Sequence, residues 1–109
     1  MKIINDELSQ KLFNEGFVHL KSFLNKSEIN LLKNAIKTNI QHPSPFAVNI
    51  ISENKNGNFF MDFNNWRRLP LIEKLCRLPK LVNATTKLTK SKKCWLFHDH
   101  VLVKSGFAK

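Results

Sequence analysis

The sequence predicts an α+β fold, and three observations carry that prediction. Residues 25–40 hold an apolar stripe at helical spacing behind a capping signal. Residues 47–63 hold two short apolar runs around an Asn-Gly turn. Two later helical segments each open on a proline and lead into an apolar, aromatic run near residue 100. The order is helix, strand, helix, hairpin, helices, strand.

The first helix is expected over Asn5 to Glu15. Asn5 or Asp6 can cap it, and Leu8, Leu12 and Phe13 share a face. Asp6 and Glu7 suit the positive end of the helix dipole. Gly16 can end it in the left-handed conformation. Residues 17–21, Phe-Val-His-Leu-Lys, then alternate as a short strand with Val18 and Leu20 on one side. Asn25 to Ile40 is the clearest helix. Asn25 and Glu28 stand at capping-box spacing, and Ile29, Leu32, Ile36 and Ile40 form the stripe, widened by Leu31 and Ala35. Pro43 and Pro45 make 41–45 a loop.

Ala47 to Ser52 reads as a strand, 54–58 as a turn and Phe59 to Phe63 as the returning strand. Pro70 opens a short helix through Leu71, Ile72 and Leu75. Pro79 opens another, with Leu81, Val82, Ala84, Thr85 and Leu88 as its apolar side. Cys94 to Lys104 is the densest apolar and aromatic run, and reads as a core strand. A strand buried on both faces needs neighbours there. Either earlier segments cover this one or the chain continues beyond it.

Composition narrows the function classes. The chain has 109 residues, 42% hydrophobic and 24% charged, which fits one domain or part of one and excludes a disordered chain. Cys76 and Cys94 make neither a disulfide framework nor a four-cysteine zinc site. No signal peptide or long apolar run is visible, so a cytoplasmic location and no membrane partner are expected. Net charge is +10, and residues 74–109 carry nine basic side chains against one acidic. That half admits a small basic nucleic-acid-binding or protein-interaction module as the alternative function. Nucleic acid is nevertheless not the expected partner, because Lys87, Lys90, Lys92 and Lys93 are not interleaved with aromatic rings.

His98-Asp99-His100 contains the residue types of a two-histidine, one-carboxylate iron site. On a strand, His98 and His100 share a face and Asp99 points away, so the triplet cannot close on one metal. No metal ligand is therefore assigned. Asp99 is expected to hydrogen-bond a neighbouring loop or strand, and the histidines to line a pocket or pack. The sequence has no Gly-rich phosphate loop and no Gly-x-Ser-x-Gly elbow. Apolar surroundings argue against Cys76 and Cys94 as nucleophiles. Asp62 and Glu73 are not positioned as an acid–base pair, and no catalytic residue is assigned.

Three blocks together carry a resemblance. They are Phe-Phe-Met-Asp-Phe-Asn-Asn-Trp-Arg-Arg at 59–68, Pro-x-Leu-Val-x-Ala-x-x-x-Leu at 79–88 and Trp-Leu-Phe-His-Asp-His-Val-Leu-Val-Lys-Ser-Gly-Phe-Ala at 95–108. With Gly-Phe-Val-His-Leu-Lys-Ser-Phe-Leu at 16–24, they resemble the phytanoyl-CoA dioxygenase family. The block at 95–108 is the most specific. The family comprises Fe(II)- and 2-oxoglutarate-dependent oxygenases on a double-stranded β-helix, a jelly-roll or cupin-like fold.

The resemblance implies that 1–109 is the N-terminal part of a single such domain, truncated before the metal-binding motif. In the family a Thr-Pro-Trp-His-x-Asp stretch with two iron ligands comes next, and a distal His and an Arg follow later. This chain would then be inactive alone and partnered by a missing C-terminal half. Fe(II), 2-oxoglutarate and a small-molecule substrate would belong to the complete enzyme, and neither cofactor is expected to bind this chain by itself. One cofactor contact carries over: Lys104, at the position that meets 2-oxoglutarate in some relatives. If Lys104 faces inward, alternation turns His98, His100 and Leu102 inward as cavity lining. Trp66 also matches a family tryptophan, with packing as its simplest role.

Overall fold

The computed structural model describes residues 4–51 and 57–106. The elements run α1 (Asp6–Glu15), α2 (Lys26–Gln41), β1 (Val48–Ile51), β2 (Gly57–Phe63), α3 (Pro70–Cys76), α4 (Pro79–Leu88) and β3 (His100–Gly106). The strands form one antiparallel sheet in the order β1-β2-β3, so the α+β expectation holds.

Local chemistry accounts for the helix ends. The Asn5 side chain accepts from the Leu8 N–H at 3.0 Å and starts α1. Gly16 closes it at φ 84°, a left-handed conformation that a β-carbon would strain. At α2 the capping box is complete: Asn25 and Glu28 exchange side-chain-to-backbone bonds, both 2.8 Å. Pro70 and Pro79 stand in the first turns of α3 and α4, which have no side-chain cap.

Helices α2 and α3 cover one face of the sheet. Ala35 of α2, Leu69 and Ile72 at α3, Phe60 of β2 and Val101 of β3 form the buried cluster. Ile36, Trp66, Leu75 and Val103 pack around it. Helices α1 and α4 pair beside this core. There the buried Ser9 hydroxyl donates to the Leu88 carbonyl at 2.6 Å, at the end of α4. Lys80 of α4 donates to the Phe23 carbonyl and to Glu28, at 2.9 and 2.6 Å, and so fastens α4 to the start of α2. The Lys80 hydrogen bond, helped by the Asn25 N–H, holds the Glu28 carboxyl below its ordinary value.

Several expectations are corrected. Residues 17–21 form no strand. Val18 and Leu20 are half-buried and Phe17 and His19 exposed, so the alternation is real, but no described strand pairs with them. Phe13 is 65% exposed, and α1 instead buries Ser9. The run from Cys94 is not a core strand. The ladder begins only at His100, and Trp95 and Phe97 are 85% and 87% exposed. Cys94 is exposed rather than apolar in setting. Residues 52–56 of the expected first strand and turn, and residues 107–108 of the last block, lie outside the described residues. Gly57 and Asn58 begin β2.

The radius of gyration is 16.1 Å. A compact chain of this length would have about 13 Å. The difference fits a layered structure in which one face of the sheet is left without helices.

Candidate functional site

Register decides which side chains share that bare face. Phe59 pairs with Lys104, Met61 with Leu102 and Phe63 with His100. Across the other ladder Met61 pairs with Val48 and Phe59 with Ile50. Directly paired residues point the same way, and neighbours along a strand alternate. Phe60, Asp62 and Val101 are buried under the helices. His100, Leu102 and Lys104 are exposed on the opposite face, with Leu102 at 59%.

His98 joins this face although it precedes the ladder. Its ring stacks on Phe63 at 5.7 Å, and His100 meets the same phenylalanine edge-on at 6.0 Å. Phe46 stacks on Phe63 at 6.1 Å, and Phe97 lies 6.1 Å from His98. The two imidazoles stand 5.9 Å apart and nearly perpendicular. Three rings thus meet Phe63, and Phe97 extends the cluster through His98, all within the distances at which aromatic pairs attract.

A buried carboxylate positions one of those rings. Asp62 is fully buried and accepts four hydrogen bonds. The Asn39 amide and the Ser44 N–H donate to one oxygen at 2.9 and 2.8 Å. The Ser44 hydroxyl and the Phe63 N–H donate to the other at 2.6 and 2.9 Å. Burial pushes the Asp62 carboxyl up, but the Ser44, Asn39 and Phe63 hydrogen bonds outweigh it and hold the group well below the usual carboxylate range. The Ser44 hydroxyl also accepts from the Phe46 N–H at 3.1 Å, which places Phe46 beside Phe63.

Asp99 fixes the start of β3. Its carbonyl accepts from the Asn64 N–H at 2.7 Å, and its carboxylate from the Trp66 N–H at 2.8 Å. Asn64 makes that turn at φ 56°, a left-handed conformation asparagine tolerates. The expected bond from Asp99 to a neighbouring loop is therefore present, and it directs the carboxylate away from both histidines. Trp66 is half-buried against the core, with the Arg67 and Arg77 guanidiniums 4.7 and 5.2 Å from its ring. Beneath it, burial pushes the Cys76 thiol up, and the nearby Asp99 charge adds to that.

Among the described residues no group of three His, Cys, Asp or Glu side chains could hold a metal ion. The described residues do not fit an iron centre of the facial-triad kind, because the carboxylate between His98 and His100, that of Asp99, is engaged at Trp66. The Lys104 side chain makes no hydrogen bond or ion pair among the described residues. Its ammonium stands free on the bare face across from Phe59.

The basic segment lies elsewhere. Lys87, Lys90, Lys92 and Lys93 are exposed, and Lys90 comes within 4.0 Å of Asp6 at the start of α1. No described helix is long and apolar enough to cross a membrane.

Residue order shows only part of this site. Alternation places His98, His100, Leu102 and Lys104 on one side, and the structure keeps them together. Phe63, Phe46 and Phe97 were missed as its companions. The only available signal was the period-2 spacing of Phe59, Met61 and Phe63, which needs the β2–β3 register to become a location. Asp62 gave no signal beyond a carboxylate within an apolar strand. Comparison with family models, with curated proteins and with solved structures found no match.

Proposed function

We propose that this chain is the N-terminal wall of a phytanoyl-CoA dioxygenase-like, Fe(II)- and 2-oxoglutarate-dependent hydroxylase. The observation that carries the reading is the two-sided sheet. Its helix-covered face is packed, while its bare face presents a lysine among apolar and aromatic side chains. The resemblance at 95–108 assigns Lys104 to the carboxylate of the 2-oxo acid. A free ammonium on a half-apolar surface suits that task, since a charge-assisted bond strengthens where water is excluded. His98, His100, Leu102 and Phe63 would shape the space beside it, once a second sheet of the jelly roll closed over the face.

In the complete enzyme the iron would supply the oxidising chemistry, with dioxygen as the oxidant and the 2-oxo acid as the co-substrate oxidised and decarboxylated alongside the hydroxylated substrate. This chain contributes no step through the metal, because its residues do not form the ligand set. Two measurements test the reading. Anaerobic addition of Fe(II) and 2-oxoglutarate to the 109-residue chain is expected to give no metal-to-ligand charge-transfer band. The nucleotide sequence beyond the Lys109 codon is expected to encode Trp-His-x-Asp in some frame. A band from this chain alone, or no such motif in any frame, overturns the proposal.

A second reading is favoured by the rings themselves. Trp95, Phe97, His98, His100 and Phe46 are exposed rings on or beside a bare antiparallel sheet in a chain of net charge +10. Exposed rings beside lysines are a means of stacking single-stranded bases. Under this reading an oligonucleotide binds with a steep salt dependence that Phe97→Ala weakens. Absent or salt-independent binding dismisses it.

A further inference from the structure

We propose that His98 and His100 form an exposed two-imidazole site for a borderline divalent transition-metal ion of the Cu(II), Ni(II) or Zn(II) class. The site uses residues of this chain alone, and it stands or falls independently of the oxygenase reading.

Three features support it. Both rings are on the same, uncovered side of the sheet, and neither makes a hydrogen bond among the described residues. Their nitrogens are therefore available as ligands. The residue between them is anchored: Asp99 is held through its carbonyl by Asn64 and through its carboxylate by Trp66, at 2.7 and 2.8 Å. The backbone that carries the pair is thus fixed before any ion arrives. The separation is also close to what one ion requires. Metal–nitrogen bonds of about 2.0–2.1 Å put an ion about 3.2 Å from each ring centre, so the centres lie about 5.2 Å apart at a tetrahedral zinc and about 4.5 Å apart at cis positions of a tetragonal copper or nickel. The observed separation is 5.9 Å. Rotation of the two side chains away from Phe63 closes the gap and turns a nitrogen edge of each toward a common point.

Imidazole selects the class of ion. It suits copper, nickel and zinc, whereas calcium and magnesium demand oxygen ligands. Water would fill the remaining positions, so the ion would be exchangeable. Binding would also have a structural effect. His98 lies just outside the ladder and His100 is its first residue. An ion shared between them would fasten the extended segment before β3 to the sheet and stabilise the folded chain by mass action.

Cu(II) is the probe, added to the Cys94→Ser variant so that the exposed thiol takes no part. Electron paramagnetic resonance is expected to show one ion per chain with superhyperfine coupling to two imidazole nitrogens. His98→Gln and His100→Gln should each reduce the coupling to one nitrogen and weaken binding by about tenfold or more. His19→Gln and His42→Gln should leave the spectrum unchanged. Zn(II) and Ni(II), which an imidazole site holds less tightly than Cu(II), should compete the copper away only in large excess, and Mg(II) and Ca(II) should not compete at all. Circular dichroism of each variant checks that these exposed positions leave the fold intact. One nitrogen in the Cys94→Ser protein, or a two-nitrogen spectrum that persists in His98→Gln or His100→Gln, overturns the proposal.

Discussion

The two faces of the sheet are made by alternate residues of the same strands and could hardly differ more. On one face Phe60, Val101 and Val103 pack under α2 and α3 around Ile72 and Ala35. On the other, Phe59, Met61, Phe63, Leu102 and His100 have no helix above them. Apolar content does not distinguish the faces, since both are rich in it. The polar group each holds does. The covered face buries Asp62 with every oxygen bonded, whereas on the bare face the Lys104 ammonium has no partner among the described residues. A charge satisfied within the chain is structural. One left unsatisfied on an apolar surface is available to a ligand.

Substitutions on opposite faces test that contrast. Phe60→Ala should cost about 3–5 kcal/mol in urea unfolding, because a buried ring leaves a cavity. Leu102→Ala, on the bare face, should cost about 0.5 kcal/mol or less. Equal losses would mean that the bare face is covered in solution. Asp62→Ala should cost about 3 kcal/mol, since it strands buried donors. Acid should act through the same residue. The Asp62 carboxyl lies below its ordinary value in the folded chain, so its contribution is complete above about pH 4, the ordinary range. It declines as pH falls from there toward the lower folded value. An acid titration of the urea midpoint should show that decline, and Asp62→Asn should flatten it. The smallest effect is expected at Phe97→Ser, within about 0.5 kcal/mol, because that ring is already in water.

Much of the covered face was legible and little of the bare one. The capping box at Asn25 and Glu28, the glycine stop at Gly16 and the two proline starts are local chemistry, and each element forms where that chemistry puts it. Buried polar residues were not legible. Ser9 and Asn39 sit on helices where a polar residue reads as solvent-facing, yet both are buried, and each donates to an acceptor far along the chain: the Ser9 hydroxyl to the Leu88 carbonyl and the Asn39 amide to Asp62. Parity along β3 correctly grouped His100, Leu102 and Lys104. It could not say which side carried the helices, nor that Phe63 would pair with His100. Burial of Trp95 and Phe97 was inferred from their type, and hydrophobicity alone does not ensure a covering layer.

The Asp62 network also bears on the order of assembly. Its donors come from α2, from the loop at Ser44 and from the end of β2, so a half-docked hairpin would hold a dehydrated carboxylate with too few partners. Such an intermediate is disfavoured, and the helix, the loop and the strand should lock together in one step. Hydrogen exchange at the Ser44 and Phe63 amides should then share a single opening free energy, joined by the amides of α2. The carboxylate would act as a latch that ties the stretch from Asn39 to Ser44 to the end of β2.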